Sequence, residues 1–208
     1  TKQGANSIEH GVATPQSGTH VKFYGGGTRV AYLSFPSANI TVPTGDTGTW
    51  LFTSYFIDAG SIDHPNLGKE TGGGWDGANG FVFGTGWGTD GPRWGVAGTG
   101  HTVYANESIS DANYRPNVWQ IYGITYERNS STGLKTYLLD SNGGRLCDQR
   151  ATSNVAIGSN SNALHIGATN SRGGNWNGYM DSVYMWTRAL SADEMLTAMD
   201  NLHTRFAL

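Results

Sequence analysis

Three consecutive pieces of the C-terminal third decide the fold: Leu164-His165-Ile166-Gly167, then Asn175-Trp176-Asn177-Gly178-Tyr179-Met180-Asp181-Ser182-Val183-Tyr184-Met185-Trp186, then Thr187-Arg188-Ala189-Leu190-Ser191-Ala192-Asp193-Glu194-Met195. Aromatic and β-branched residues crowd positions 178–186, bounded by Gly178 and the polar pair Thr187-Arg188, which is how a strand reads. Side chains along a strand alternate between faces. Strict alternation puts Val183 and Met185 on one face with Tyr179 and Asp181, and Met180, Tyr184 and Trp186 on the other. After the strand, Ser191 and Glu194 form a Ser-x-x-Glu capping box, and Leu190 and Met195 are spaced to staple the start of a helix. Met195, Met199 and Leu202 follow at intervals of four and three, giving one apolar stripe to lay on a sheet. We read this helix as a packing element.

Working outward, short aromatic or β-branched runs recur between turn clusters. They predict strands near Val21–Tyr24, Val30–Phe35, Thr49–Ile57, Gly80–Gly84, Arg93–Ala97, Asn117–Glu127, Leu134–Asp140, Ala163–Gly167 and Gly178–Trp186. Asn129-Ser130-Ser131-Thr132-Gly133 reads as a hairpin turn, since Asn and Gly tolerate positive φ. Ser141-Asn142-Gly143-Gly144 carries the Asn-Gly pair of a tight hairpin. No repeat or linker interrupts the pattern, so residues 1–208 are expected to form one domain. The expected architecture is all-β: a two-sheet antiparallel jelly-roll β-sandwich with a short C-terminal helix.

The quoted stretch resembles the laminin-G-like branch of the concanavalin A-like lectin/glucanase superfamily. The points of likeness are an Ile-Gly strand, an aromatic-x-Gly-x-apolar-Asp strand and an Arg-Ala-Leu-Ser turn into a helix. Asn117-Val118-Trp119 through Tyr126, then Leu134-Lys135-Thr136-Tyr137-Leu138, resemble the family's Trp-bearing and Tyr-bearing strands. Thr41-Val42-Pro43 and the strand from Thr49 fit its opening strands more loosely. The resemblance spans about residues 20–200 and is densest over 117–196. Two features depart from it. The hairpin after the Tyr strand becomes a longer loop, Asp140-Ser141-Asn142-Gly143-Gly144, and the Gly/Trp-rich region Thr71–Gly100 has no counterpart. The resemblance implies a sandwich in which Trp119, Trp176 and Trp186 are core or sheet-covering residues. Asp181 is then a hydrogen-bonding residue at a turn or strand end.

Composition narrows the partners. Charged residues make up 14% of the chain, against an average of about 25%, while 31 residues are glycine. Such a chain suits short strands joined by many tight turns. A net charge of −3 without a basic run argues against nucleic acid or an anionic membrane surface. No apolar stretch approaches the roughly 20 residues that cross a bilayer. Cys147 is the sole cysteine, so no intrachain disulfide forms, and it reads as a half-buried strand residue. No signal-like apolar segment is visible, so localisation is not written directly in the chain.

Catalytic patterns are sparse. Superfamily members that hydrolyse β-glucans carry carboxylates at alternate positions of one strand, which aims an acid/base and a nucleophile at one bond. No two of the sixteen Asp and Glu residues here are separated by two positions. An alginate-lyase-like Arg-x-Glu-x-Arg strand is absent, and His101 and Tyr104, three apart on a strand, point to opposite faces. Gly72–Gly77 and Gly86–Gly91 match Gly-x-Gly-x-x-Gly, but neither joins a strand to a helix as dinucleotide binding requires.

One constellation remains. Trp75, Asp76, Asn79, Trp87, Asp90, Arg93, Trp94 and His101 lie among closely spaced glycines. A sugar presents apolar C–H faces and a rim of hydroxyls, and so wants a flat aromatic ring beside Asp, Asn and Arg groups. Glycines let the backbone approach closely. Trp94 reads as structural, because Arg93–Ala97 reads as strand. The candidate ligand site is therefore Trp75, Asp76, Asn79, Trp87, Asp90, Arg93 and His101; the competing reading folds these tryptophans back onto the core. By resemblance to relatives that bind calcium, Asp76, Asn79 and Asp90 are candidate calcium ligands, without EF-hand spacing. The expected function is a non-catalytic carbohydrate-binding module of a secreted, cell-surface or virion protein, with a glycan or polysaccharide as partner. A structural or adhesive scaffold and a polysaccharide-degrading enzyme assembled across strands stand as alternatives.

Overall fold

The computed structural model describes residues 2–3, 8–13, 19–23, 32–57, 64–69, 71, 79–85, 92–98, 101–105, 117–140, 143–152, 154–168 and 178–206. Some strands, among them 92–98 and 101–105, are described by backbone alone. Within these residues two antiparallel sheets are stacked. The first runs, edge to edge, β1 (Lys2–Gln3), β4 (Tyr32–Phe35), β13 (Leu164–Ile166), β6 (His64–Lys69), β7 (Gly80–Thr85), β8 (Pro92–Gly98) and β9 (His101–Ala105). The second runs β12 (Gly143–Arg150), β11 (Leu134–Asp140), β10 (Trp119–Glu127), β5 (Thr47–Phe56), β14 (Gly178–Trp186), β3 (Thr19–Phe23) and β2 (Ile8–Ala13). All nine expected strands are present. The architecture is the predicted sandwich.

The strand period of two explains the core. Trp50 and Phe52 of β5, Tyr122, Ile124 and Tyr126 of β10, and Leu138 of β11 face inward and meet Leu67, Phe81, Phe83 and Leu164 of the other sheet. Trp50 is fully buried, its ring 5.1 Å from Phe81 and 5.0 Å from Phe83 in tilted and edge-on contacts. Such aromatic pairs stabilise by about 0.5–1.5 kcal/mol beyond the area they bury. The alternate residues Leu51, Ile121, Tyr137 and Leu139 face outward, yet are buried too. Helix α1 (Ala192–Phe206) covers them with Met195, Met199 and Leu202, the stripe read from the sequence. Gly123 makes room for it: a Cβ there would lie 2.5 Å from Met195 Sδ.

The helix start is fixed three ways. Glu194 N–H donates to Ser191 Oγ at 3.2 Å and Ser191 N–H to Glu194 Oε2 at 2.8 Å, so the capping box closes reciprocally. Leu190 and Met195 are both buried. Thr49 Oγ1, deep in β5, donates to Arg188 O at 2.7 Å and accepts from Leu190 N–H at 3.0 Å. Ser191→Ala is expected to lower stability by about 0.5–2 kcal/mol, the usual loss for an N-cap, measured by chemical unfolding. An unchanged midpoint would mean the cap contributes nothing.

Glu194 also carries a pH signature. Arg188 donates to both of its carboxylate oxygens at 2.8 Å, and with the Ser191 N–H this holds the carboxyl down at about 2. A carboxyl whose pKa falls on folding stabilises the fold above its unfolded value, here 4.5, and that support is lost as pH falls through about 2. The helix start should thus be intact at pH 4 and loosen toward pH 2. The Glu194 side-chain carbonyl shift in an NMR titration reads this directly; a midpoint near 4.5 would contradict the pairing.

Two local expectations are corrected. Between Met180 and Ser182 the β14–β5 register slips by one residue, a β-bulge at Asp181. The bulge swaps faces. Val183 and Met185 pack inward with Met180, while Tyr184 and Trp186 share the outer face with Tyr179. The second correction concerns the loop after β11. Asp140 pairs directly with Gly143, so residues 141 and 142 alone connect β11 to β12, and the loop is not lengthened. Arg145 grips Asp140 from across that hairpin through bonds of 2.9 and 3.1 Å.

Candidate functional site

Of the predicted ligand residues, Trp75, Asp76, Trp87 and Asp90 lie outside the described residues, as does Trp176. Asn79 is described in full and is half-buried; Arg93 and His101 are placed by their backbones on β8 and β9. The register separates those two. Arg93 pairs with Gly84 at one end of β8, while His101 pairs with Gly98 at the other. Gly98 is five steps of extended strand beyond Arg93, a separation of about 17 Å. The β6–β7 connection leaves the sheet at the Lys69–Gly80 end, the end that carries His101. The β7–β8 connection leaves at the Thr85–Pro92 end, beside Arg93. The constellation that looked like one cluster along the chain is thus anchored at two opposite rims. Linear closeness hid this, because β7 and β8 each carry the chain across the sheet.

The first rim is built around a buried cation. Lys69 is 3% exposed, and its ammonium faces four oxygens. It donates to Ser37 Oγ at 2.9 Å, Asn160 O at 3.0 Å, Asn160 Oδ1 at 3.3 Å and Asn162 O. Burial pushes its pKa below the ordinary lysine value, and the oxygen shell opposes that penalty. Asn160 continues the knot, its amide donating to Asn79 O at 2.7 Å and Lys69 O at 3.4 Å. Asn79 N–H in turn donates to Thr71 Oγ1 at 3.2 Å. Gly80 has φ +129°, and a Cβ there would fall on Lys69 O. Both ends of the 72–78 connection are therefore held by a rigid polar base. Nothing in the sequence flags Lys69, because its partners lie roughly thirty and ninety positions away.

Between the sheets sits a second polar group. Tyr122 donates to Gln120 Oε1 at 2.8 Å, and Asp140, 3% exposed, is taken up by Arg145. Burial first, then the charges of Asp140 and Cys147, pushes the Tyr122 hydroxyl far above its ordinary value. Cys147 is half-buried against the core, as expected, and burial raises its thiol as well. The Tyr122 hydroxyl and the Cys147 thiol therefore stay protonated near neutral pH. Among the described residues no three His, Cys, Asp or Glu side chains gather as a metal site. Within the same residues no helix is long and apolar enough to cross a membrane.

Residues 63–195 match the family model described as the concanavalin A-like lectin/glucanases superfamily, in its laminin-G form. The chain belongs to that superfamily. Its concanavalin A-like sandwich overlays solved structures of very different sequence. The botulinum neurotoxin serotype G binding domain matches with a TM-score of 0.65 at 11% identity, over 98% of this chain and 47% of that one. A botulinum neurotoxin type C structure, described as dependent for cell entry upon two ganglioside molecules, matches at 0.62 and 12% identity, over 97% and 46%. The native heptameric SAP-like pentraxin from Limulus polyphemus matches at 0.54 and 13% identity, over 92% and 80%. At such identities the likeness shows the concanavalin A-like fold alone. The chain spans about half the length of the toxin domains it matches. No curated protein sequence matches it significantly.

Proposed function

We propose that the chain is a non-catalytic carbohydrate-binding module that seats a glycan on its Gly- and Trp-rich connections, 72–78 and 86–91. The observation supporting this is the Lys69–Asn160–Gly80 knot. Recognition loops need rigid roots, and four oxygens around a buried ammonium provide one for the 72–78 connection. Because the connections leave opposite rims, we read two seats: Trp75, Asp76, Asn79 and His101 at one, Trp87, Asp90 and Arg93 at the other. Calcium is proposed as an adjunct, held by Asp76 with Asn79 at the first seat or by Asp90 at the second. Toxin domains of similar fold, one dependent on gangliosides for cell entry, favour a glycan and an extracellular or surface setting.

A glycan array run with and without calcium tests the reading. Trp75→Ala and Trp87→Ala should each weaken binding by roughly 1–3 kcal/mol with little change in melting temperature, as exposed anchor aromatics do. Two seats predict that each variant loses a different part of the binding. If both variants unfold the domain, these tryptophans belong to the core; an empty array would end the proposal.

A further inference from the structure

A different surface carries a site of its own. On the outer face of β14, Tyr184 and Trp186 stack side by side, ring centroids 6.1 Å apart and planes 22° from parallel. Tyr184 is 39% exposed and Trp186 half-buried, so the two rings form a flat aromatic plate that water reaches. Beside the indole runs α1, and Trp186 and the helix line a cleft of about 410 Å³, with Tyr184 extending the aromatic surface outside it. That volume falls in the range of small-ligand sites, roughly 300–1,000 Å³.

The helix side of the cleft is regular. Asp193, Thr197 and Asn201 line it at intervals of four, so they form a single stripe about 12 Å long. All three are exposed, and each can bond a hydroxyl. Ala198, also lining the cleft, keeps the wall shallow next to the indole. The Trp186 indole opposite a row of short polar side chains fits a pyranose, which offers an apolar C–H face on one side and hydroxyls around its edge.

Charge narrows the sugar. Arg188 lines the cleft, but Glu194 engages its guanidinium through two bonds of 2.8 Å, which cancels the charge locally. Asp193 is left as the uncompensated carboxylate among the lining residues, so an anionic sugar is repelled. We infer that the Trp186–α1 cleft is a separate saccharide seat that takes a neutral or N-acetylated pyranose and rejects sialylated and uronic sugars. It is independent of the rim loops and stands whether or not they bind.

The test is an NMR titration of the whole chain with mannopentaose, cellopentaose, N-acetylchitotetraose and 3′-sialyllactose. At least one neutral oligosaccharide should shift the 193–201 amides and the Trp186 indole N–H, and 3′-sialyllactose should not. Trp186 also packs against α1, so the decisive variant is Thr197→Val with Asn201→Ala, both exposed. It should weaken that binding at least tenfold at an unchanged melting temperature, while Trp75→Ala with Trp87→Ala leaves the shifts intact. The inference is overturned if no neutral sugar moves these signals, if the double variant binds as tightly as the parent, or if 3′-sialyllactose binds there equally well.

Discussion

Gly80→Ala is expected to destabilise the domain by about 2–6 kcal/mol, although it adds only a methyl group. Two terms combine. A non-glycine residue at φ +129° carries about 1–3 kcal/mol of backbone strain. The new Cβ would also fall on Lys69 O, a main-chain atom in the paired strand β6, and overpacking adds about 1–3 kcal/mol. Relief would require β6 and β7 to part at the rim where the 72–78 connection begins. Urea unfolding should show a lower midpoint at an unchanged m value. A loss below about 1 kcal/mol would mean that the strands do not approach as closely as the register implies.

Lys69→Met should be nearly as damaging, by about 2–4 kcal/mol. Methionine fills similar volume but leaves Asn160 O and Asn162 O without their donor. Removing the donor from a part-buried carbonyl costs about 1–3 kcal/mol, and the lower half of that range applies to each of these two. Lys69→Arg should not rescue, since a planar fork does not match four oxygens arrayed around a point charge. Gly80→Ala and Lys69→Met dismantle one knot, so their combined effect should fall short of the sum by 0.5 kcal/mol or more. Full additivity would show that the two residues support the rim separately.

Sheet-forming segments with a clear period were legible, and those without one were not. β5, β10 and β14 carry aromatic and β-branched runs, and each was read near its observed limits. β6 was missed because Pro65 and Gly68 read as breakers. β12 was implied by the reading of Cys147 but given no bounds, because it lies at a sheet edge, where Arg145, Asp148 and Arg150 guard against further pairing and break the apolar run. The bulge at Asp181 reversed the face assignments around it, since one extra residue in a strand leaves no compositional trace. The helix was fully legible, from Ser191 to the stripe at Leu202, because caps and stripes are local signals. Site reasoning identified residue types suited to sugars but grouped them by closeness along the chain. The Lys69 knot arises from contacts between segments some thirty and ninety positions apart, which only the folded chain reveals. The Trp186 cleft is local, lined entirely from residues 186–201, and was passed over because the helix was read as a packing element.

The place of β5 at the middle of its sheet has a consequence during synthesis. Its partners are β10 and β14, and Thr49 pairs with Trp186. At bacterial or eukaryotic elongation rates of about 5–20 residues per second, a nascent β5 waits on the order of 10 s for β14 to leave the ribosome. Throughout that interval Trp50 and Phe52 have no completed core to enter, and one edge of β5 is open to any passing strand. The nascent chain is therefore most exposed to mispairing while its future centre is still a margin. A chaperone that shields residues 47–56 until the C-terminal quarter emerges should raise the folded yield more than one that acts afterwards.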